Sequence, residues 1–193
     1  MHGQEGQDPL PGAAPPEDDP AAKARGICLR LLATTPRTRA QLAEALADHD
    51  IPDEIAGEVL GRFSEVGLID DVAFAHAWVD SRHTGRGLAG RALAAELRRR
   101  GVAEDTVREA VDAGLTPDRE EDTARALVRR KLTTTRHKDV AVRARRAMGV
   151  LARKGYAPGL AYRLVREELE AEGTEVDLPE PDFDADPPEA GTS

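Results

Sequence analysis

Cysteine is almost missing from this sequence: Cys28 is the only one in 193 residues. A single thiol excludes an internal disulfide framework and fits a reducing compartment. Aromatic residues are scarce as well, at 3%, so Leu, Val and Ala must pack any core. No apolar run approaches the ~18 residues of a membrane span. The opening stretch, MHGQEGQDPLPGAAPPEDDP, has neither the basic start nor the apolar middle of a secretory signal. A cytoplasmic protein with no membrane association is the expectation. His49, His76, His83 and His137 are scattered without metal-ligand spacing. No CxxC, P-loop or Ser/His/Asp grouping occurs. These gaps argue against an enzyme and leave no catalytic residue, metal or cofactor to assign.

Charge is abundant and unevenly placed. The formal net charge is −9, yet residues 21–173 carry all 27 Lys and Arg beside 24 of the 36 Asp and Glu. The body is therefore mildly basic, while the two ends hold 12 acids and no base. Both ends are rich in Pro and too polar to offset the entropy of ordering. Residues 1–20 and 174–193 read as disordered acidic tails, either for solubility or to screen the basic body. Arg outnumbers Lys 23 to 4, a bias that GC-rich coding alone would produce.

Helical periodicity begins at Ala21, with Ile27, Cys28, Leu31 and Leu32 on one side. Pro36 breaks it. Thr38 and Gln41 have capping-box spacing and open a helix through Leu42 and Leu46. Pro52 suits the first turn of another, through Ile55, Val59, Leu60 and Phe63 to a stop at Gly67. This set of three recurs around the anchors Ile51, Val102 and Tyr156. Leu46, Leu97 and Leu151 lie at one offset upstream; Val59-Leu60, Ala110-Val111 and Leu164-Val165 lie at another downstream. Phe74, Ala75 and Trp78 begin the second set, and Leu127, Val128 and Leu132 the third. The fold class is all-α: three tandem three-helix repeats, at 21–69, 70–115 and 116–173, in an elongated, curved array of right or left hand. One repeat cannot bury its apolar face alone, so stacking is expected to make a continuous core.

Three motifs invite stronger readings. Gly85 to Gly90 matches GxGxxG, but a dinucleotide fingerprint follows a strand. Here a helix, Phe74 to Arg82, precedes it, so a flexible inter-helix loop fits better; the amides of the next helix start would be open to a phosphate. Asp70-Asp71 would serve as metal ligands or as helix caps, and their place at a helix start favours caps. Cys28 and Trp78 read as packing residues, although a lone Trp also suits base stacking.

The basic residues form a pattern. On a helical wheel, Ala89, Leu93 and Leu97 make one stripe and Arg91 and Arg98 share the opposite side. In the third repeat Ala144, Ala147 and Leu151 oppose Arg146 and Arg153, whereas the first repeat carries Glu44 and Asp48 there. Arg82–Arg100 has six bases against one acid, and Arg125–Lys154 eleven against one. Such runs are either solvated faces or a surface for an anionic partner.

The stretch Gly67-Leu68-Ile69-Asp70-Asp71, Phe74-Ala75, Arg82, Gly85-Arg86-Gly87 and Glu96 to Val102 resembles the RecX family of bacterial recombination regulators. Arg37-Thr38-Arg39 and Ala152-Arg153-Lys154-Gly155-Tyr156 extend the resemblance, which covers about residues 23–171. It departs at Arg100, where Lys is common, and at Leu88, where Pro is. The resemblance implies a non-enzymatic helical repeat protein; a monomer is the expectation. Such a protein binds the RecA nucleoprotein filament and mainly inhibits its ATPase, strand exchange and extension in recombinational repair and the SOS response. Arg82, Arg86, Arg91, Arg98, Arg99, Arg129, Arg130, Arg146 and Arg153 are the expected contacts to acidic RecA surface, single- or double-stranded DNA, or both. The rival readings are a DNA-binding helical protein acting independently of RecA, and a helical adaptor for another acidic protein.

Overall fold

The structure, a computed structural model, describes residues 19–173. The expected disorder of the tails lies outside the described residues, apart from Asp19 and Pro20. Those two start the first helix instead: Asp19 Oδ1 accepts the Ala21 amide at 2.9 Å, with Pro20 in the first turn. An acceptor followed by proline is a strong helix start.

Among the described residues there are nine α-helices and no strand. Helices α1 (Pro20–Thr34), α2 (Arg39–Ala47) and α3 (Asp53–Glu65) form one compact unit. The second unit begins at Asp71 and contains α4 (Asp71–Arg86), α5 (Gly90–Arg98), α6 (Glu104–Gly114), α7 (Pro117–Thr134), α8 (Val140–Arg153) and α9 (Pro158–Ala171). None is long and apolar enough to cross a membrane.

The capping box forms at α2. The Gln41 amide donates to Thr38 Oγ1 and the Thr38 amide donates to Gln41 Oε1, both at 3.2 Å. Pro52 stands one position before α3 rather than inside it. Cys28 is fully buried, and burial pushes its thiol up from the ordinary value. That is the signature of a packing residue, not a nucleophile.

The repeat anchors have a shared physical cause. The amides of Ile51, Val102 and Tyr156 each reach back to Leu46, Leu97 and Leu151, at 3.1, 3.2 and 3.1 Å. The residue before each anchor is left-handed: Asp50 (φ 57°), Gly101 (φ 74°) and Gly155 (φ 87°). This is the Schellman end of a helix, in which a left-handed residue lets the next amide satisfy an orphan carbonyl. Each anchor side chain is then driven inward beside a fully buried Leu. Burying one such Leu is worth roughly 1.5–3 kcal/mol, so all three second helices are fixed by the same cap and the same apolar contact.

Among the described residues the buried hydrophobic residues fall into three clusters, the third of which also takes in Ala89 from the second repeat. Leu42, Leu46, Val59, Leu60 and Phe63 fill the first; Val79, Leu93, Leu97 and Val107 the second; Leu132, Leu151, Leu164 and Leu169 the third.

Within the second unit a polar joint links the second and third repeats. The Ala89 amide donates to the Lys154 carbonyl at 2.9 Å, and the buried Tyr156 hydroxyl donates to the Gly87 carbonyl at 3.1 Å. Lys154 Nζ also donates to the Arg86 carbonyl. His83, 2% exposed, bridges the Leu88 carbonyl and the Thr123 hydroxyl, each at 2.9 Å. A carbonyl only accepts, so Nδ1 carries the His83 proton.

Candidate functional site

Gly85–Gly90 is part of this joint, not a flexible loop. Helix α4 runs through Arg86, four residues beyond Arg82, and only Gly87 to Ala89 connect it to α5. Leu88 and Ala89 are buried. Gly87 is left-handed (φ 61°), and a methyl there would lie 3.3 Å from Leu127 Cδ1. The amide of Gly90 at the start of α5 is taken by Glu120 Oε1 at 2.9 Å. A carboxylate from α7 thus fills the position where a phosphate would bind the helix dipole. Asp70 precedes α4 and Asp71 is its first residue. Among the described residues no three His, Cys, Asp or Glu side chains gather where they would hold a metal.

Trp78 is half-buried and packs against the second core cluster. It stacks on Phe74 with centroids 5.6 Å apart, and the guanidinium groups of Arg82 and Arg100 sit 4.1 and 3.7 Å from its ring centre. Its Nε1 donates to Glu96 Oε2 at 2.9 Å. Glu96 also pairs with Arg82 at 4.0 Å and with Arg86 at 3.5 Å. Arg100 sits below its ordinary value through burial first, and then through Arg82 and Arg99. The single acid of Arg82–Arg100 therefore serves as a hub, and the ring is already covered by cations.

Much of the apparent excess of positive charge is matched by acids from neighbouring helices. Arg98 does not stand free on the outer side of α5: it grips Glu104 of α6 through two bonds of 2.7 and 2.6 Å. Arg129 donates to Glu168 at 2.8 Å, and Arg125 reaches Glu121, Glu167 and Glu168. Arg163 joins the same group through Glu121, whose carboxyl is lowered to about 2 by hydrogen bonds from Arg163 and Arg125. Arg143 is buried and pairs with Glu172 of the α9 C-cap.

Of the nine arginines, Arg82, Arg86, Arg98 and Arg129 thus have charge partners within the chain. Arg91, Arg99, Arg130, Arg146 and Arg153 are exposed. Arg91 lies in the first turn of α5, and Arg146 and Arg153 lie two turns apart on α8. Arg119 and Lys154, absent from the wheel pattern, join Arg86 and Arg130 around one cleft. The Lys154-Gly155-Tyr156 signature marks one of the four cations, Lys154; nothing in the periodicity marks Arg119.

Repeated helix triplets with a common Schellman end define a tandem three-helix-repeat protein. Successive segments match the family descriptions RecX, first three-helix domain (residues 24–63), second (70–111) and third (118–165). The chain belongs to the RecX family. Regulatory protein RecX of Thermobifida fusca (strain YX) is 65% identical over 178 residues, 92% of this chain and 96% of that one. Regulatory protein RecX of Streptomyces coelicolor (strain ATCC BAA-471 / A3(2) / M145) is 59% identical over 162 residues, 84% of this chain and 86% of its own length. The crystal structure of RecX from Lactobacillus salivarius superposes with a TM-score of 0.71 at 18% identity, covering 79% of this chain and 98% of that one. At that identity the likeness speaks for the fold alone.

Proposed function

We propose that this chain is a non-enzymatic regulator of RecA that binds the RecA nucleoprotein filament and restrains its ATPase, strand exchange and extension. Family membership carries the reading, through relatives 65% and 59% identical that are named as regulatory proteins. The contacts fall to the exposed arginines that have no acid partner among the described residues, Arg91, Arg146 and Arg153 foremost. Arg82 and Arg98 hold the scaffold, because Glu96 and Glu104 already neutralise them. Long guanidinium groups on a rigid helix suit an anionic surface, whether carboxylate or phosphate.

Co-sedimentation with RecA filaments assembled on single-stranded DNA tests this. The wild-type chain should pellet with the filament, and Arg146→Glu with Arg153→Glu should leave more of it in the supernatant at unchanged helicity. A wild-type chain that stays in the supernatant at every filament concentration would remove the proposal.

A further inference from the structure

The joint of the second and third repeats opens outward as a cleft of about 620 Å³. Among the described residues four cationic side chains line it, Arg86, Arg119, Arg130 and Lys154, and no Asp or Glu does. They converge from different elements: the last residue of α4, two positions on α7, and the C-cap of α8. Arg119 reaches out to Asp80 at 2.9 Å, and Arg86 to Glu96 at 3.5 Å. The Lys154 ammonium is bound to the Arg86 carbonyl, which carries no charge, and Arg130 makes no ion pair with the described residues. Lys154 is held below its ordinary value by burial, and further by Arg130 and Arg86. Crowded like charges of this kind are relieved by an anion between them.

Elsewhere in the unit many of the crowded basic side chains have an acid among them: Glu96, Glu104, Glu121, Glu168 or Glu172. The cleft has cations from three helices and, among the described residues, no acid in its lining. The lining also says which anion fits. Among the described residues no Trp, Tyr or Phe faces the cleft, and His83 has both ring nitrogens engaged, so they offer no platform on which a base would stack. Cations without base-reading groups recognise backbone phosphates and carry no sequence information. The volume takes more than one phosphate group, which favours a strand over a lone ion.

We propose that this cleft binds the phosphodiester backbone of a nucleic-acid strand, with Arg130 and Lys154 in direct contact and Arg86 and Arg119 completing a positive wall. The site takes its setting from the filament reading, but its test needs no RecA. The full chain is titrated into a labelled single-stranded oligonucleotide at several salt concentrations. Arg130→Gln with Lys154→Gln should bind about tenfold more weakly at low salt, and its salt slope should fall by about 1.4, ~0.7 for each lost contact. Lys154 holds Ala89 through its backbone, so that bond survives, and Arg130→Lys with Lys154→Arg should restore binding. Arg136→Gln with Lys138→Gln removes the same charge from exposed positions outside the cleft and should change affinity less than about twofold.

An unchanged slope in the cleft pair, or an equal loss in the control pair, would overturn the site. So would inorganic phosphate displacing the strand at constant ionic strength, since a free anion would then be the ligand. RecA ATPase measured on the same proteins separates the two readings. A cleft variant that loses DNA but still restrains RecA leaves the filament proposal standing. A wild-type chain without effect on RecA, but with the predicted DNA behaviour, leaves the cleft standing.

Discussion

Replacing Gly155 by Ala probes the joint most sharply. Gly155 is left-handed at φ 87°, and a methyl there would lie 2.7 Å from Ala92 Cβ and 2.8 Å from the Ala92 backbone nitrogen. The left-handed backbone costs Ala about 1 kcal/mol, and forcing a methyl into packed atoms costs about 1–3 kcal/mol. A stiffer unfolded chain offsets up to about 1 kcal/mol. The second unit should therefore lose about 2 kcal/mol. Gly87→Ala is the internal comparison, because it shares a left-handed backbone (φ 61°) but meets only the side-chain tips of Leu127 and Thr123 at 3.3 and 3.4 Å. Those tips can move, so its loss should stay below about 1 kcal/mol. Trp78, the only tryptophan, lies in α4, so its fluorescence in urea reports the second unit. Equal losses for the two variants, or a larger one for Gly87→Ala, would refute the close approach of Gly155 to α5.

The Tyr156 hydroxyl is pushed up to about 12 by burial, and then by Glu120, against about 10 in an unfolded chain. Its contribution to stability is complete below pH 10 and is lost as pH rises through 12; phenolate absorbance should show one tyrosine ionising late, and Tyr156→Phe should remove that step. Glu121, lowered to about 2, works in the opposite direction: its stabilisation is present above about pH 4.5 and fades toward pH 2. Acid unfolding of Glu121→Gln should begin from a lower plateau and depend less on pH in that window. Glu96→Gln weakens the hub under Trp78, Arg82 and Arg86, and a red-shifted, more quenchable Trp emission should follow while the fold persists.

Apolar spacing carried the helices. Leu42, Leu46, Leu93, Leu97 and Leu151 are all fully buried, because the helical period alone decides which side faces a partner helix. The Thr38–Gln41 box was equally legible, since its partners are three residues apart. Charge partnership was not. Arg98 meets Glu104 across a turn, Arg129 meets Glu168 on another helix, and Glu120 crosses to Gly90. A wheel drawn for one helix contains none of those acids. The cleft was hidden for the same reason: Arg86, Arg119, Arg130 and Lys154 are brought together only by packing. Trp78 shows the limit of apolar reasoning too, since an amphipathic ring beside Arg82, Glu96 and Arg100 does better at a polar rim than in the core.

The central claim is that this RecX family chain restrains the RecA filament. RecA ATPase on single-stranded DNA tests it most directly, with the chain added in increasing amounts before and after filament assembly. The rate should fall with added chain in both orders, and fall less with Arg91, Arg146 and Arg153 reversed to Glu. A rate that stays level at a large excess of the wild-type chain, in either order, would contradict it.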